Sequence, residues 1–578
     1  MNTLHNTSSQ PGTHGPIPET HHTINPFQLA IIKDRIEHLS YPKTFALILI
    51  TSWLLSSTAK RCWLMCTNDK QKQKKLTVPV FGYRSWFEPT FLLQTRFVRG
   101  ARGLIHEAYT KMPNMPFVLK RYDADFLILP VRYLDELRLI PLSKLSNKGA
   151  NVANLVPEYH GITFLLTNNL HVDVLRKKLT PELWKFIDSA STELSHGWDI
   201  SMSLPLGELS SRTNGNNDWV KIDFERTVRD LVARMTAKVF LGSPACRDET
   251  WLGISTDFSI DLFTASFTMK MFPPWMYPVV APLIPARRRV LKQLKAAQRI
   301  VGAQMARHDS LKKKRAQAAR GEVVLTKEEE EEAQDTLLDW MLDHGKGSEV
   351  QVEEMSARQC VLTLASIHTT ASQTANMMFD LCEHPQWWGV LREEVDSIAK
   401  ELGPPGMAGK IKEWCVRLEK MDSFFQETQR REPPILLGPQ RLALSSLTLK
   451  DGTFIPRGTR VAFPMLEHQN DPLTYSDPHE YDPLRFYRKR HSSPDQMNLH
   501  MAGQTHPNVL GFGYGNQACP GRQFAVAEIK LIMARMVYEF EFKFAHPEKG
   551  RPKTGYVNEM AMTDWGARLL MRRRVRSD

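Results

Sequence analysis

The chain has 578 residues, 42% of them hydrophobic and 24% charged, proportions that exclude a wholly disordered or fibrous protein and leave room for a large buried core. Lys and Arg number 75 against 63 Asp and Glu, a net charge of +12 that suits an anionic membrane face or an acidic protein partner. The basic runs at Lys70–Lys75, Arg287–Arg289, Lys312–Arg315 and Arg572–Arg576 are dispersed and lack interleaved aromatics, which argues against nucleic acid.

Residues 1–43 are polar, with scattered Pro, His and Thr, and read as a disordered tail. Thr44–Ala59 is an uncharged apolar run that would span about 24 Å as a helix at ~1.5 Å per residue, short of a ~30 Å bilayer core. Flanking Lys43, Lys60 and Arg61 can snorkel, and Cys62–Met65 extends the apolar length, so 44–66 is expected to be a single-pass membrane anchor. A cleaved signal peptide is the rival, but the apolar core starts far from Met1. The basic residues that follow predict that everything after the run is cytosolic and the tail lumenal, with Asn6-Thr-Ser8 a glycan acceptor. Cys62 and Cys66 are acylation candidates or ordinary membrane-proximal thiols. The odd number of cysteines, seven, shows no disulfide-framework spacing, which points to a reducing compartment.

A connector at 67–84 leads into a region, 85–578, that is mostly helical in pattern, without internal repeats. The proline-broken apolar stretch from Phe263 to Ile284 reads by default as buried core. Glu328–Glu332 reads as a solvated charge run. Val361–Cys382 is apolar nearly all round, the mark of a buried central helix, with Ser366, His368, Thr369, Thr370, Ser372 and Gln373 set into it. At ~100° per residue, Ala365, His368, Thr369 and Ser372 share one face. Such polar groups are either internally satisfied hydrogen bonds or part of a site. Glu427-Thr-Gln-Arg430 pairs opposite charges at i and i+3, a common surface arrangement. Residues 443–463 turn strand-like around Asp451-Gly452 and Pro456-Arg-Gly458, predicting a small sheet with tight turns. Tyr481-Asp-Pro483-Leu-Arg485-Phe486 follows.

Near the end, Phe512-Gly-Tyr-Gly-Asn-Gln-Ala-Cys519-Pro-Gly521 runs into a helix beginning at Arg522. A sulfur at a helix N-terminus is biased toward thiolate, the form that binds metal. With no second cysteine or histidine nearby it cannot build a zinc or iron–sulfur site, whereas one axial ligand is what a haem iron needs. The glycines do not form a phosphate loop, because no Gly-Lys-Ser/Thr follows, and no dinucleotide fingerprint appears.

Phe-x-x-Gly-x-x-x-Cys-x-Gly resembles the haem-binding signature of the cytochrome P450 monooxygenases. Ala365-Ser-Ile-His-Thr369-Thr370 resembles their oxygen-activation motif, with Ser366 in place of a glycine and His368 in place of an acid. The order of Glu427/Arg430, Pro483/Arg485 and Cys519 resembles the family's as well. The resemblance implies a mainly α fold with a minor β-sheet component, haem b held between a long central helix and the Cys loop, and Cys519 as iron ligand beside Phe512 and Gly521. It implies proton delivery by Thr369 with His368, room for the haem beside Ala365, and a buried scaffold of Glu427, Arg430 and Arg485. Arg441 and Gln517 are the expected donors to the haem propionates, with Arg176 standing in for a Trp-x-x-x-Arg that is absent from His171–Lys185. Ile435–Leu437 and Met560–Met562 sit where relatives line the substrate pocket. The expected partners are O2, an NADPH-dependent reductase supplying electrons, the endoplasmic reticulum membrane and a hydrophobic small molecule. The expected group is that of fungal secondary-metabolism enzymes resembling ent-kaurene oxidases and the gibberellin group, acting on terpenoid-like skeletons. A redox-free isomerase or dehydratase and a non-catalytic haem-binding protein are the alternatives.

Overall fold

The computed structural model describes residues 78–203, 219–326 and 335–575, all within the unit Ser52–Asp578. The predicted tail, the anchor at 44–66, most of the connector, Asn6, Cys62, Cys66 and Glu328–Glu332 lie outside the described residues. Among the described residues no helix is long and apolar enough to cross a membrane.

The helices and strands alternate in an order set by where the chain can bury an apolar face. Helix α1 (Thr90–Lys111) leads to the hairpin β1 (Phe117–Lys120) and β2 (Asp125–Ile128). Strand β3 (Leu145–Ser146) runs into α2 (Asn147–Leu155), which is capped by the Ser146 hydroxyl accepting from Gly149 N. Helix α3 (Leu170–Val174) continues as a π-helical turn, Leu175–Leu179, before α4 (Leu183–Trp198). After β4 (Val220–Ile222) come α5 (Phe224–Phe240), α6 (Glu249–Lys270) and α7 (Pro285–Ala318). Asp223 and Asp248 cap α5 and α6 by accepting from Arg226 N and Trp251 N, as short acidic side chains do at helix starts.

Pro273 and Pro274 end α6 and turn the chain through short helical turns to Pro285. That connection leaves Met271, Trp275, Val279 and Leu283 exposed, so the apolar stretch noted in the sequence is only partly core.

Helix α8 (Leu337–His344) precedes the long helix α9 (Val352–Glu383), buried on most of its circumference and packed against α5, α6 and α7. Helices α10 (Trp387–Leu402), α11 (Ile411–Arg417) and α12 (Glu419–Arg431) follow, and α12 packs on α9. The expected small sheet then appears as β5 (Arg441–Ala443), the hairpin β6 (Leu447–Thr448) and β7 (Phe454–Ile455), and β8 (Arg460–Ala462). Gly452 turns the hairpin with φ +86°, a conformation that side chains resist. Helices α13 (Met465–Gln469), α14 (Arg485–Arg490) and α15 (Arg522–Glu539) follow, then β9 (Phe540–Phe544), the hairpin β10 (Gly555–Val557) and β11 (Met560–Met562), and β12 (Leu569–Arg573). The largest sheet has the order β1-β2-β8-β5-β3, with only β2 and β8 parallel, and β4-β12-β9 forms a second. The fold is therefore mainly α with a minor β component.

Candidate haem-thiolate site

Backbone geometry fixes the loop before α15. Cys519 N donates to Phe512 O at 2.8 Å, closing the loop one turn before the helix. Gly513 and Gly515 take φ of +77° and +67°, and a Cβ at Gly511 would stand 2.2 Å from Gln429 Oε1 of α12. These glycines let the loop fold tightly against α12. Phe512 stacks nearly parallel on Phe425, ring centroids 6.0 Å apart, and forms an apolar wall beside the sulfur's loop.

Cys519 is surrounded by protein atoms, yet its surface is open to solvent-sized contact. A side chain with both properties lines an internal cleft. Burial pushes its thiol up, against the Gly521 and Arg522 N–H groups and the Arg522 guanidinium. The thiolate bias expected from the helix N-terminus is thus outweighed by desolvation in the protein alone, and metal ligation is what deprotonates such a thiol.

The central helix supplies a second wall. Ala365 and Thr369 are exposed although Ile367 and Thr370 beside them are buried, so they too open on an interior space. Thr369 Oγ1 donates to Ala365 O at 2.9 Å, with Ser366 O at 3.3 Å, which leaves the hydroxyl oxygen's lone pairs free to accept. His368 does not join them. Its Nε2 lies 2.8 Å from Thr256 O on α6, and burial brings its pKa down to about 4. The expected pairing of Thr369 with a titrating His368 is corrected here: the ring is turned to a neighbouring helix and is neutral near pH 7.

On the polar side, Arg441 opens β5 as a buried guanidinium that donates to Gln440 O at 2.8 Å and Tyr514 O at 3.4 Å. No carboxylate pairs with it among the described residues, and burial alone brings its pKa down to about 10. A buried cation without a counter-charge is costly, so this one fits an anionic group such as a haem propionate. Arg176 Nη2 donates to Asn516 O at 2.9 Å, touching the Cys loop from the π-helical turn. Gln517 is placed differently from its expected role. Its Nε2 donates to Leu145 O at 3.0 Å and its Oε1 accepts from Asn147 N at 2.6 Å, so the amide ties the loop to β3 and α2. The donor set as a whole, one sulfur, an apolar wall, a small-residue face and a buried unpaired cation, fits haem.

Behind the loop, Glu427 is fully buried and holds Arg430 in a two-pronged pair at 2.9 and 2.8 Å, with Arg485 Nε at 3.3 Å. Asp482 N donates to the same carboxylate, while Arg430 also donates to Gln469 O and Arg485 to Ser476 O. The i, i+3 pair that could have been a surface feature is a buried scaffold.

A further cluster went unread in the sequence. Arg121 binds Asp123 at 2.5 Å and Glu559 at 2.6 Å, and Lys270 at the end of α6 reaches Asp123 at 2.9 Å. Asn154 of α2 accepts from both Arg121 and Arg460, and Gln440 donates to Glu559 at 3.1 Å. These groups join the sheet, α2, α6 and the β10–β11 turn, and Gln440 connects them to Arg441. The two expected pocket segments meet nearby through the bridge between Ile435 and Met560.

Comparison with known proteins gives the same reading. The family model described as Cytochrome P450 matches residues 146–565. The chain is 40% identical to Cytochrome P450 monooxygenase ATR4 of Stachybotrys chlorohalonatus, over 86% of this chain and 90% of that protein. It is 36% identical to Cytochrome P450 monooxygenase AN1598 of Emericella nidulans, over 87% and 89%. It is 32% identical to Ent-kaurene oxidase P450-4 of Gibberella fujikuroi, over 87% and 93%.

Proposed function

This chain belongs to the cytochrome P450 family, and from that premise we propose that it oxidises a bulky, terpenoid-like small molecule in secondary-metabolite biosynthesis. As a monooxygenase it uses haem iron, O2 and NADPH-derived electrons delivered by a partner reductase. The bound haem supplies the activation of O2 by two electrons and two protons, one oxygen atom entering a C–H bond of the substrate and the other leaving as water.

The protein's own part is binding, orientation and proton handling. Cys519 would ligate iron from the start of α15, with Phe512 screening the sulfur on its Phe425 side. Gly521 would leave open space next to the Cys519 loop, since even a Cβ there meets no atom within 4 Å. Arg441 would hold a propionate, and Arg176 and Gln517 would brace the loop by their contacts with Asn516, Leu145 and Asn147. Ala365 leaves room for a flat ring, and the Thr369 hydroxyl would accept a proton from solvent and pass one on at Oγ1. Glu427, Arg430 and Arg485 would keep the loop's support in place.

The substrate class rests on the apolar Ile435–Leu437 and Met560–Met562 segments together with the similarity to a protein named as an ent-kaurene oxidase. We further propose anchoring in the endoplasmic reticulum membrane through 44–66, with 85–578 in the cytosol and Met271, Trp275, Val279 and Leu283 turned toward the lipid surface. The single observation that carries the monooxygenase reading is Cys519, backbone-bonded to Phe512 and exposed just before the start of α15. The test is co-expression with a reductase and product analysis against a terpenoid panel. NADPH-dependent hydroxylated products are expected; products formed without NADPH would instead indicate an isomerase, and polyketide products alone would overturn the substrate class.

A further inference from the structure

We infer that His368 is a positioning residue, a latch that fastens α6 to the central helix beside Thr369; this rests on the reading of Thr369 as the proton-handling hydroxyl. In the sequence His368 stands where a titrating neighbour of Thr369 would be expected. In the structure its ring faces the other way. Nε2 lies 2.8 Å from the Thr256 carbonyl, and a carbonyl can only accept, so Nε2 must carry hydrogen. That hydrogen is present in the neutral ring and in the charged ring alike, so the bond does not depend on protonation.

The surroundings support a fixed ring. Trp565, in the segment after β11, lies against it with centroids 6.2 Å apart, and Arg229 of α5 sits over the Trp565 ring at 5.8 Å. Arg229 is the charged group facing the imidazole, and it opposes a second proton there, as does burial. A half-buried ring held by a backbone carbonyl beside a cation is a poor proton carrier and a good strut.

The placement gives the strut a purpose. Helix α6 is held at its far end by the Lys270–Asp123 ion pair, 2.9 Å. His368 holds it two turns in from its start, at Thr256, on the stretch of α9 whose next residue, Thr369, opens on the cleft. Two fastenings on one helix, one midway in its first half and one at its last residue, help set its height above α9 and therefore the space over Thr369. Loosening the nearer one would admit water to that space, so that more reducing equivalents would leave as hydrogen peroxide.

The test compares full-length holoenzyme carrying His368→Phe, which keeps a ring but has no donor, with His368→Gln, whose amide N–H can reach the same carbonyl. Hydrogen exchange of the α6 amides is read by mass spectrometry, and peroxide released per NADPH is read with a reductase present. Loss of one neutral hydrogen bond predicts about fivefold faster exchange near Thr256 in His368→Phe and a higher peroxide ratio. His368→Gln should match the unaltered protein in both, from pH 6 to 8. If His368→Gln instead shows unaltered exchange but slowed NADPH-driven turnover with an enlarged solvent isotope effect, His368 carries protons and the inference fails. It also fails if His368→Phe leaves α6 exchange unchanged. Failure of the monooxygenase reading would look different, since the unaltered protein would then lack a thiolate-type ferrous carbonyl spectrum.

Discussion

Replacing Glu427 with Ala removes the anion that two buried guanidinium groups share. The carboxylate accepts from Arg430 Nε and Nη2 at 2.9 and 2.8 Å, lies 3.3 Å from Arg485 Nε, and accepts from Asp482 N at 3.2 Å. Its side chain has no exposed surface, and those of Arg430 and Arg485 are 2% and 7% exposed, so water cannot replace it. Breaking one buried pair by removing a partner costs about 3–5 kcal/mol, and here two cations are stranded, so the upper end of that range is expected. Arg430 would keep its bonds to Gln469 O and Asn470 Oδ1, and Arg485 its bond to Ser476 O, which holds the loss below twice the single-pair value. The assay is the denaturant midpoint of the purified holoprotein together with haem bound per chain. Glu427→Gln, which keeps shape and loses charge, should fall between Glu427→Ala and the unaltered protein. A Glu427→Ala protein with full haem content and a midpoint shift worth under about 1 kcal/mol would refute the scaffold argument, because no buried pair of this geometry should be so cheap to break.

Arg441→Leu should separate stability from cofactor retention: the haem-free chain gains stability because a buried cation without a carboxylate is removed, while haem dissociates roughly 10- to 160-fold faster through loss of about 1.5–3 kcal/mol of charge-assisted bonding. Measuring haem transfer to an acceptor protein checks this, and an unchanged rate contradicts the propionate assignment. Asp123→Ala strands Lys270 and removes a partner of Arg121, so a destabilisation on the order of 3 kcal/mol is expected from denaturant titration; a neutral outcome would mean that the Arg121–Asp123–Lys270 cluster is not a support. His171 and His368 both have folded pKa values of about 4 through burial, below the ordinary 6.5. The unfolded chain therefore takes up protons first, and stability that is complete above pH 6.5 is lost as the pH falls toward 4, by at most ~3 kcal/mol per histidine. Denaturant midpoints between pH 7 and 4.5 should show this slope, and His171→Phe should reduce it by about half. Thr369→Ala should raise hydrogen peroxide released per NADPH without altering haem content; an unchanged ratio would remove Thr369 from proton handling.

What could be read from the sequence was what short segments carry by themselves. The Cys519 loop, the apolar central helix and the Glu427–Arg430 spacing are local patterns, and the tight turns at Asp451-Gly452 and Gly458 depend on one or two residues. What could not be read depends on partners far along the chain. Helical periodicity puts His368 close to Thr369 but cannot say that α6, 112 residues earlier, offers a carbonyl to it. The family resemblance makes Gln517 a cofactor donor, because many members carry Arg or His at that position, yet Leu145 and Asn147 claim both ends of its amide. The sign of the Cys519 shift depends on how much protein surrounds the sulfur, which the helix N-terminus alone does not reveal. Arg121 and Glu559 are 438 residues apart and belong to no motif, so their cluster has no signal short of the fold itself.

The most direct test of the whole reading is the ferrous carbonyl spectrum of the purified full-length holoprotein, recorded beside that of Cys519→Ser. A Soret band red-shifted as thiolate ligation requires, present in the unaltered protein and lost on replacing the sulfur, is the expected result. A spectrum without that shift, or one that Cys519→Ser leaves unchanged, would show that the iron takes its axial ligand elsewhere.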